Sequence, residues 1–354
     1  MRVYTLLLLV FGGIVAMLIV AIVPRLGVDN EADTDRPPPR LSAPRVEEAD
    51  GPGEFRPKSI LSPFSAVESF RILSATQAGG EIGDDEIVIG VEEVKEARAY
   101  PINMMAEPQQ EVLNDTIGGK PIAVTWCSRC QNAQVFNRNC DDRVLTLFLP
   151  GLIWEGSMVM ADRETGSLWS QVLGHAEDGL LKGKDLAVVP SVLMDWKSWK
   201  TQHPQTTVVT LPRLSDTYRR RTTDAKPTDP PLILGMTLGN RSKAWPLEEI
   251  RRLSPINDRI GDQALLTVFD VKSQAYGVFD RTVDGELLEF ENRDGSLVDL
   301  KSLSTWDPAT GRSLGGPSTG KRLVRSPAYL IRQATWMQFH PKTTVWGDEA
   351  GKRP

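Results

Sequence analysis

The stretch NDTIGGKPIAVTWCSRCQNAQVFNR, residues 114–138, returns without a gap as NDRIGDQALLTVFDVKSQAYGVFDR, residues 257–281. A match of that length within one chain marks a duplicated unit, and it extends on both sides. Upstream, IVIGVEEVKEARAYP (87–101) is answered by LILGMTLGNRSKAWP (232–246). Downstream, Asp162, Ser167, Trp169, Gly174 and Gly179 fall opposite Asp299, Ser304, Trp306, Gly311 and Gly316 at one constant offset. The same offset pairs WKTQHPQTTVV (199–209) with WMQFHPKTTVW (336–346). The body is therefore two tandem pseudo-repeats, placed at 60–215 and 216–354, and each copy reports on the other.

Within a copy the pattern is mainly β. PIAVTW and LLTVF are short β-branched or aromatic runs, and NAQVFNR and AYGVFDR follow after a few turn-like residues. RVLTLFL and ELLEFEN come next, after NCDD and TVDG, so each copy is expected to hold a three-stranded antiparallel meander. Short helices are expected at PLEEIRRLS, starting at Pro246, and at VLMDWKSWKTQ before His203. The fold class is α+β, weighted to β: antiparallel meanders with short helices. TIGGK, matched by RIGDQ, reads as a turn and not a phosphate cradle, and Asp115, which returns as Asp258, as a turn or cap residue.

The N-terminus is a different kind of sequence. Tyr4 to Val23 is free of charge, and about 20 residues at 1.5 Å each cover about 30 Å, the thickness of a bilayer core. Pro24 and Arg25 follow directly with no small-residue cleavage site, so residues 1–25 read as a transmembrane anchor or uncleaved signal. With so short a tail before the span, the body is expected outside the cytoplasm, periplasmic or extracellular. Residues 26–59, rich in proline and charge without apolar periodicity, read as a disordered tether. The membrane, through residues 4–23, is the partner the sequence indicates. Nucleic acid is not: 41 basic and 46 acidic residues give a net charge of -5 with no basic run. Three cysteines leave at least one thiol outside any internal disulfide, and three histidines argue against a multi-histidine metal site.

Two of those cysteines, Cys127 and Cys130, lie in the opening stretch. On the strand reading Cys127 ends one strand and Cys130 begins the next, so the pair straddles a hairpin turn. The second copy has Asp270 and Ser273 there, yet keeps Val278, Phe279 and Arg281 against Val135, Phe136 and Arg138. The hairpin does not depend on the cysteines. Residues confined to the first copy are thus the better site candidates: Met160, Gln171 and His175 face Leu297, Pro308 and Arg312. Asp162, Trp169 and His203 recur as Asp299, Trp306 and His340, which favours a scaffold role.

Three chemistries fit the pair. Binding of a soft metal, copper or zinc, ranks first; Met158 or Met160 would lean towards copper(I), and a four-ligand zinc site would need Cys140 and His175 as well. The second is a thiol-disulfide oxidoreductase whose nucleophile is Cys127 or Cys130, activated by Arg129 or His175. A thioredoxin fold is disfavoured, because a strand and not a helix follows the pair. The third is a non-enzymatic interaction module, with Trp169, Trp196 and Trp199 as core or contact aromatics. Phosphate-loop and H-E-x-x-H motifs are missing.

YPINMMAEPQQEVLNDTIGGKPIAVTWCSRCQNAQVF, followed by MADRETGSLWSQVLGHAEDG and WKSWKTQHPQTTVV, resembles the domain of unknown function family DUF3179. The resemblance is good over 87–210, and the second copy is a degenerate echo. The family's C-x-x-C, its D-R-x-T-x-S-L-W-x-Q segment and a following glycine map to Cys127, Cys130, Asp162, Arg163, Thr165, Ser167, Trp169, Gln171 and Gly174. Two positions depart: Gln131 stands where glycine is usual, and His175 where an acidic residue is common. The resemblance implies a site at Cys127 and Cys130, with Arg163, Trp169 and Gln171 as supporting candidates, and implies no reaction; the comparison of the copies adds Met160 and His175 to those candidates.

Overall fold

The computed structural model describes residues 51–94, 96–214 and 230–348. The expected anchor at 4–23 and most of the tether lie outside the described residues. No helix among those described is long and apolar enough to cross a membrane. Lys58–Ser59 already pairs with Leu152 and Ile153, and Phe55 sets its ring edge-on to Trp154 at 5.0 Å, so packing begins ahead of Ile60.

The duplication is written in the strand pairing. In the first copy Val112–Ile117, Lys120–Cys127 and Asn132–Asn137 form a three-stranded antiparallel sheet, and in the second Ile256–Ile260, Gln263–Asp270 and Ala275–Asp280 do the same. A second sheet holds Ser191–Asp195, Ile87–Glu93, Glu96–Pro101, Thr207–Thr210 and Arg71–Ser74 in that order, with one parallel pairing, between Thr207–Thr210 and Glu96–Pro101. Its counterpart is Tyr329–Arg332, Leu232–Leu238, Arg241–Pro246 and Thr344–Val345, whose last pairing is likewise parallel. A third sheet carries Leu147–Trp154, Ser157–Asp162 and Leu168–Ser170 in one copy, and Phe290–Arg293, Ser296–Asp299 and Thr305–Trp306 in the other.

The meander is real, but its third strand precedes the hairpin instead of following it. RVLTLFL divides: Arg143–Val144 turns back on Asn139–Cys140, and Leu147–Trp154 crosses to the third sheet. The cause is a repeated asparagine. The Asn114 amide donates to Leu147 O at 2.8 Å and its Oδ1 accepts the Leu147 N–H at 2.9 Å, so it takes up the backbone where the new sheet begins. Asn257 does this for Phe290, at 2.7 and 2.9 Å. The neighbouring aspartate is no turn residue either. Asp115 is buried against Arg98 at 2.6 Å and the Tyr100 hydroxyl at 2.7 Å, and Asp258 takes Lys243 at 2.8 Å and the Trp245 indole at 2.7 Å. Such pairing offsets the cost of taking a carboxylate out of water.

Three α-helices are described among these residues: α1 (Trp196–Gln202), α2 (Leu247–Leu253) and α3 (Gln333–Phe339). The first is shorter than VLMDWKSWKTQ suggests. Ser191–Asp195 is a strand, and Asp195 Oδ1 caps the helix by accepting the Ser198 N–H at 2.8 Å. Trp199 of α1 lies on Gly90, where a Cβ would come within 2.3 Å of the indole, and Trp336 of α3 lies on Gly235 at 2.4 Å. Glycine is required at both places for close approach.

The copies grip one another reciprocally. Arg332 N–H donates to Cys130 O at 2.9 Å, and the matching Asp195 N–H donates to Ser273 O at 2.9 Å. Each copy's strand before its last helix thus docks on the other's hairpin loop, the pattern of a two-fold interface within one chain. Ile331, Trp336 and Phe339 of the second copy enter the same buried core as Cys127, Cys130 and Met158 of the first.

Candidate functional site

Cys127 ends its strand and pairs with Asn132, so residues 128–131 form the loop and Cys130 sits within it: the next strand begins at Asn132, two residues after the expected start at Cys130. The loop closes with Gln131 at φ 56°, a left-handed conformation that glycine takes most readily. Gln131 supports it by donating its side-chain amide to Ser128 O at 2.7 Å. Gln274, at φ 59°, does the same to Val271 O at 2.7 Å. The departure from the family's usual glycine therefore has a local remedy.

Both thiols are buried, Cys127 1% exposed and Cys130 not at all. Cys127 Sγ accepts the Cys130 amide at 3.2 Å. Burial alone would raise the Cys127 thiol, but the Cys130 thiol and the Cys130 and Met158 amides hydrogen-bond it and hold it below the ordinary value. Burial pushes Cys130 well above that value, and its partner reinforces the shift. The pair is polarised: Cys127 is the sulfur that loses its proton more readily, Cys130 the one that holds it more tightly.

Behind Cys130 lies a buried polar chain. Its Sγ is 3.5 Å from Ser157 Oγ, which donates to Gln171 Oε1 at 3.5 Å. Gln171 Oε1 also accepts from Asn132 at 3.1 Å, and its amide donates to Thr125 Oγ1 at 3.1 Å. The Gln134 side chain donates to the carbonyls of Gln171 and Val172 at 3.0 and 2.8 Å. In the second copy these positions are Val268, Ala275, Gly277 and Pro308 for Thr125, Asn132, Gln134 and Gln171, so no equivalent network can form.

In front of Cys127 opens a cleft of about 410 Å³, lined by Cys127, Met158, Glu111, Arg129 and, from the second copy, Arg332. Glu111 accepts the Ser128 N–H at 2.9 Å and the Ser128 hydroxyl at 2.5 Å. Burial pushes its carboxyl up, against those hydrogen bonds and the Arg129 charge. Tyr329, also from the second copy, is half-buried close by, its hydroxyl 3.4 Å from Val172 O and its titration pushed up by burial and then by Cys130.

The other sequence candidates divide sharply. Gln171 joins the site through Ser157. Met160 is buried and paired with Trp169 across the third sheet, while Met158 is the thioether that lines the cleft. Trp169 donates its indole N–H to Asp162 at 2.9 Å, as Trp306 does to Asp299 at 2.9 Å, which makes it scaffold. Trp196 and Trp199 are core residues, not contact aromatics. Arg163 is an exposed partner of Glu68. His175 pairs with Asp185 at 2.7 Å. Cys140, buried in the short strand Asn139–Cys140, has its thiol raised by burial. Among the described residues no group of three or more histidine, cysteine or acidic side chains could hold a metal, so Cys140 and His175 do not complete a four-ligand site.

Sequence reasoning missed Glu111, Ser157, Tyr329 and Arg332. Arg332 could have been found: it occupies the place of Asp195 in the other copy, and a tight two-fold pairing of copies puts that position on the partner's loop.

No curated protein and no solved structure matches the chain. The family model described as "Protein of unknown function (DUF3179)" matches residues 64–292 and again 222–353, two overlapping spans that agree with the paired architecture. With its thiol loop in the first span and its echo in the second, the chain belongs to the DUF3179 family.

Proposed function

We propose that the loop is a dithiol redox site in which Cys127 is the nucleophile and Cys130 the resolving thiol. The observation that carries this reading is the polarisation of the pair. Both sulfurs are buried, but one accepts an amide at 3.2 Å and lines a cleft, while the other holds its proton more tightly and is backed by Ser157. The Cys127 thiolate attacks one sulfur of a substrate disulfide. The bond pair leaves on the other sulfur, which is protonated as the first thiol. Cys130 gives up its proton, attacks the Cys127 sulfur of the mixed disulfide and releases the second thiol. The protein ends as a Cys127–Cys130 disulfide, and the substrate has gained two electrons. Full-length protein in detergent, titrated against dithiothreitol redox buffers, should show one reversible two-electron couple that Cys127→Ser abolishes. Thiols that stay reduced across the whole range would overturn the reading.

Soft-metal binding is the second reading, and Met158 favours it by setting a thioether beside Cys127 in the cleft. With two thiols and a thioether, and no group of three histidine, cysteine or acidic side chains among the described residues that could hold a metal, copper(I) suits the site better than zinc. Equal copper(I) uptake by wild type and the Cys127→Ser, Cys130→Ser variant in a competition titration would remove it. The apolar run from Tyr4 to Val23 supports a membrane-tethered, extracytoplasmic placement for either chemistry. Release of the protein by alkaline carbonate would count against that.

A further inference from the structure

The second copy lost the cysteines, but it gained arginines. Arg312 and Arg322 bridge one another across antiparallel backbone, at the positions that His175 and Asp185 occupy in the first copy. There the bridge carries an ion pair of 2.7 Å; here it carries two like charges, an arrangement that repels. A single carboxylate, Glu92 of the first copy, stands 3.9 Å from each guanidinium. A third guanidinium, Arg325, replaces Val188 and donates to Tyr276 O at 3.2 Å and to Ala309 O, with its plane 4.6 Å from the Phe279 ring. No carboxylate among the described residues lies within ion-pairing distance of it, and burial pushes its pKa down to about 10. All three line one groove of about 520 Å³ between the copies, whose far wall includes Trp199 and His203. Asp307, the other acid there, is occupied by the amides of Ala309 and Thr310 at 2.8 and 3.0 Å.

We propose that this groove binds a small organic dianion, a phosphate ester or a dicarboxylic acid, between Arg312 and Arg322 with Arg325 beneath. Adjacent guanidiniums present forked donors that match paired anionic oxygens, whether of a phosphate or of carboxylates. The groove has room for more than a bare ion, and three cations face two acids, so a ligand of charge minus two relieves the repulsion between the bridged arginines. The first copy, with its His175–Asp185 pair and Val188, has no such demand. The site is independent of the thiol chemistry, so the two readings fail separately.

The test is thermal unfolding of the full-length protein in detergent, with sodium phosphate or sodium succinate compared with sodium chloride at equal ionic strength. A ligand that binds only the folded state raises the midpoint in a saturable way. The proposal expects this for phosphate, succinate or both, and which of them acts identifies the source of the dianion. Arg312→Gln with Arg322→Gln, both exposed positions, should weaken binding of the active salt at least tenfold by titration calorimetry. Glu92→Gln, which removes the competing carboxylate, should tighten it about threefold, and Cys127→Ser should leave it unchanged. Equal midpoints in all three salts, or undiminished binding by the double arginine variant, would overturn the proposal.

Discussion

Cys127 Sγ accepts the amide of Cys130 at 3.2 Å, and in the second copy Asp270 Oδ2 accepts the amide of Ser273 at 3.0 Å, with the Ser273 hydroxyl beside it. Each loop closes on a glutamine in the left-handed region, and each is docked by the other copy's strand. The backbone asks for an acceptor at the first position and is satisfied by a sulfur or a carboxylate. What differs is the setting. A polar chain through Ser157, Gln171 and Thr125 backs the first loop, and a cleft with Glu111 and Arg332 fronts it. Loop architecture and loop chemistry are separable.

The sharpest way to break that comparison is to exchange the contents. Cys127→Asp with Cys130→Ser turns the first loop into the second; it should fold normally and lose disulfide reduction by at least about a thousandfold, since no thiolate remains. The reverse change, Asp270→Cys with Ser273→Cys, should give two thiols with ordinary reactivity, because Val268, Ala275 and Pro308 offer no polar chain behind them. Stopped-flow reaction with a chromogenic disulfide measures both. A reverse variant as fast as the native pair would show that the loop alone suffices.

The next largest effect separates shared scaffold from site. Trp199→Ala and Trp336→Ala each empty a buried indole pocket over a glycine, so each should cost about 3–5 kcal/mol in urea unfolding. Their influence on the thiols should differ. Trp336 shares a core with Cys127 and Cys130, whereas Trp199 packs in a core that excludes them. Alkylation of Cys127 should change in the first variant and not in the second.

The repeat makes the architecture legible in the sequence, because two copies of one β pattern mark the strand positions twice over. The sequence could not order the strands into sheets. The Asn114 and Asn257 clamps that send Leu147 and Phe290 to another sheet are contacts over 33 positions, invisible to local propensity. The paired carboxylates of Asp115, buried, and Asp258, half-buried, look like turn residues for the same reason: their partners Arg98 and Lys243 lie in a different sheet. Within the site, Cys127, Cys130 and Gln171 were marked by their absence from the second copy. His175, marked by the same logic, and Arg163, marked by the family resemblance, lie towards the surface and pair there with Asp185 and Glu68. Glu111 and Arg332 have no motif, and their relevance comes from packing alone.

A smaller difference between the copies concerns acid. Burial lowers His340 to about 4, while His203 is lowered by burial with Glu92 working against the shift. A histidine whose folded value lies below its unfolded value, about 6.5, binds fewer protons when folded. Its contribution is complete above about pH 6.5 and is lost as pH falls towards 4, by at most about 3 kcal/mol. His340→Gln should flatten the pH dependence of urea midpoints across that window more than His203→Gln does. Equal slopes in the two variants would mean that Glu92 does not distinguish the copies.

The smallest expected effect tests whether the two loops are alike in strain as well as in shape. A non-glycine residue in the left-handed region costs about 1–2 kcal/mol, and the glutamine side chain recovers about 1 kcal/mol through its hydrogen bond to the loop carbonyl. Gln131→Gly and Gln274→Gly each remove the cost together with the compensation, so stability should move by less than about 1 kcal/mol in either copy, and by the same amount in both. The reaction rate of Cys127 should hold as well, because the Cys130 amide that stabilises its thiolate is placed by the loop backbone and by Arg332 N–H on Cys130 O at 2.9 Å, not by the glutamine. A loss confined to Gln131→Gly would mean that the first loop is held by its side chains where the second is held by its backbone, and the two could then no longer be treated as one loop.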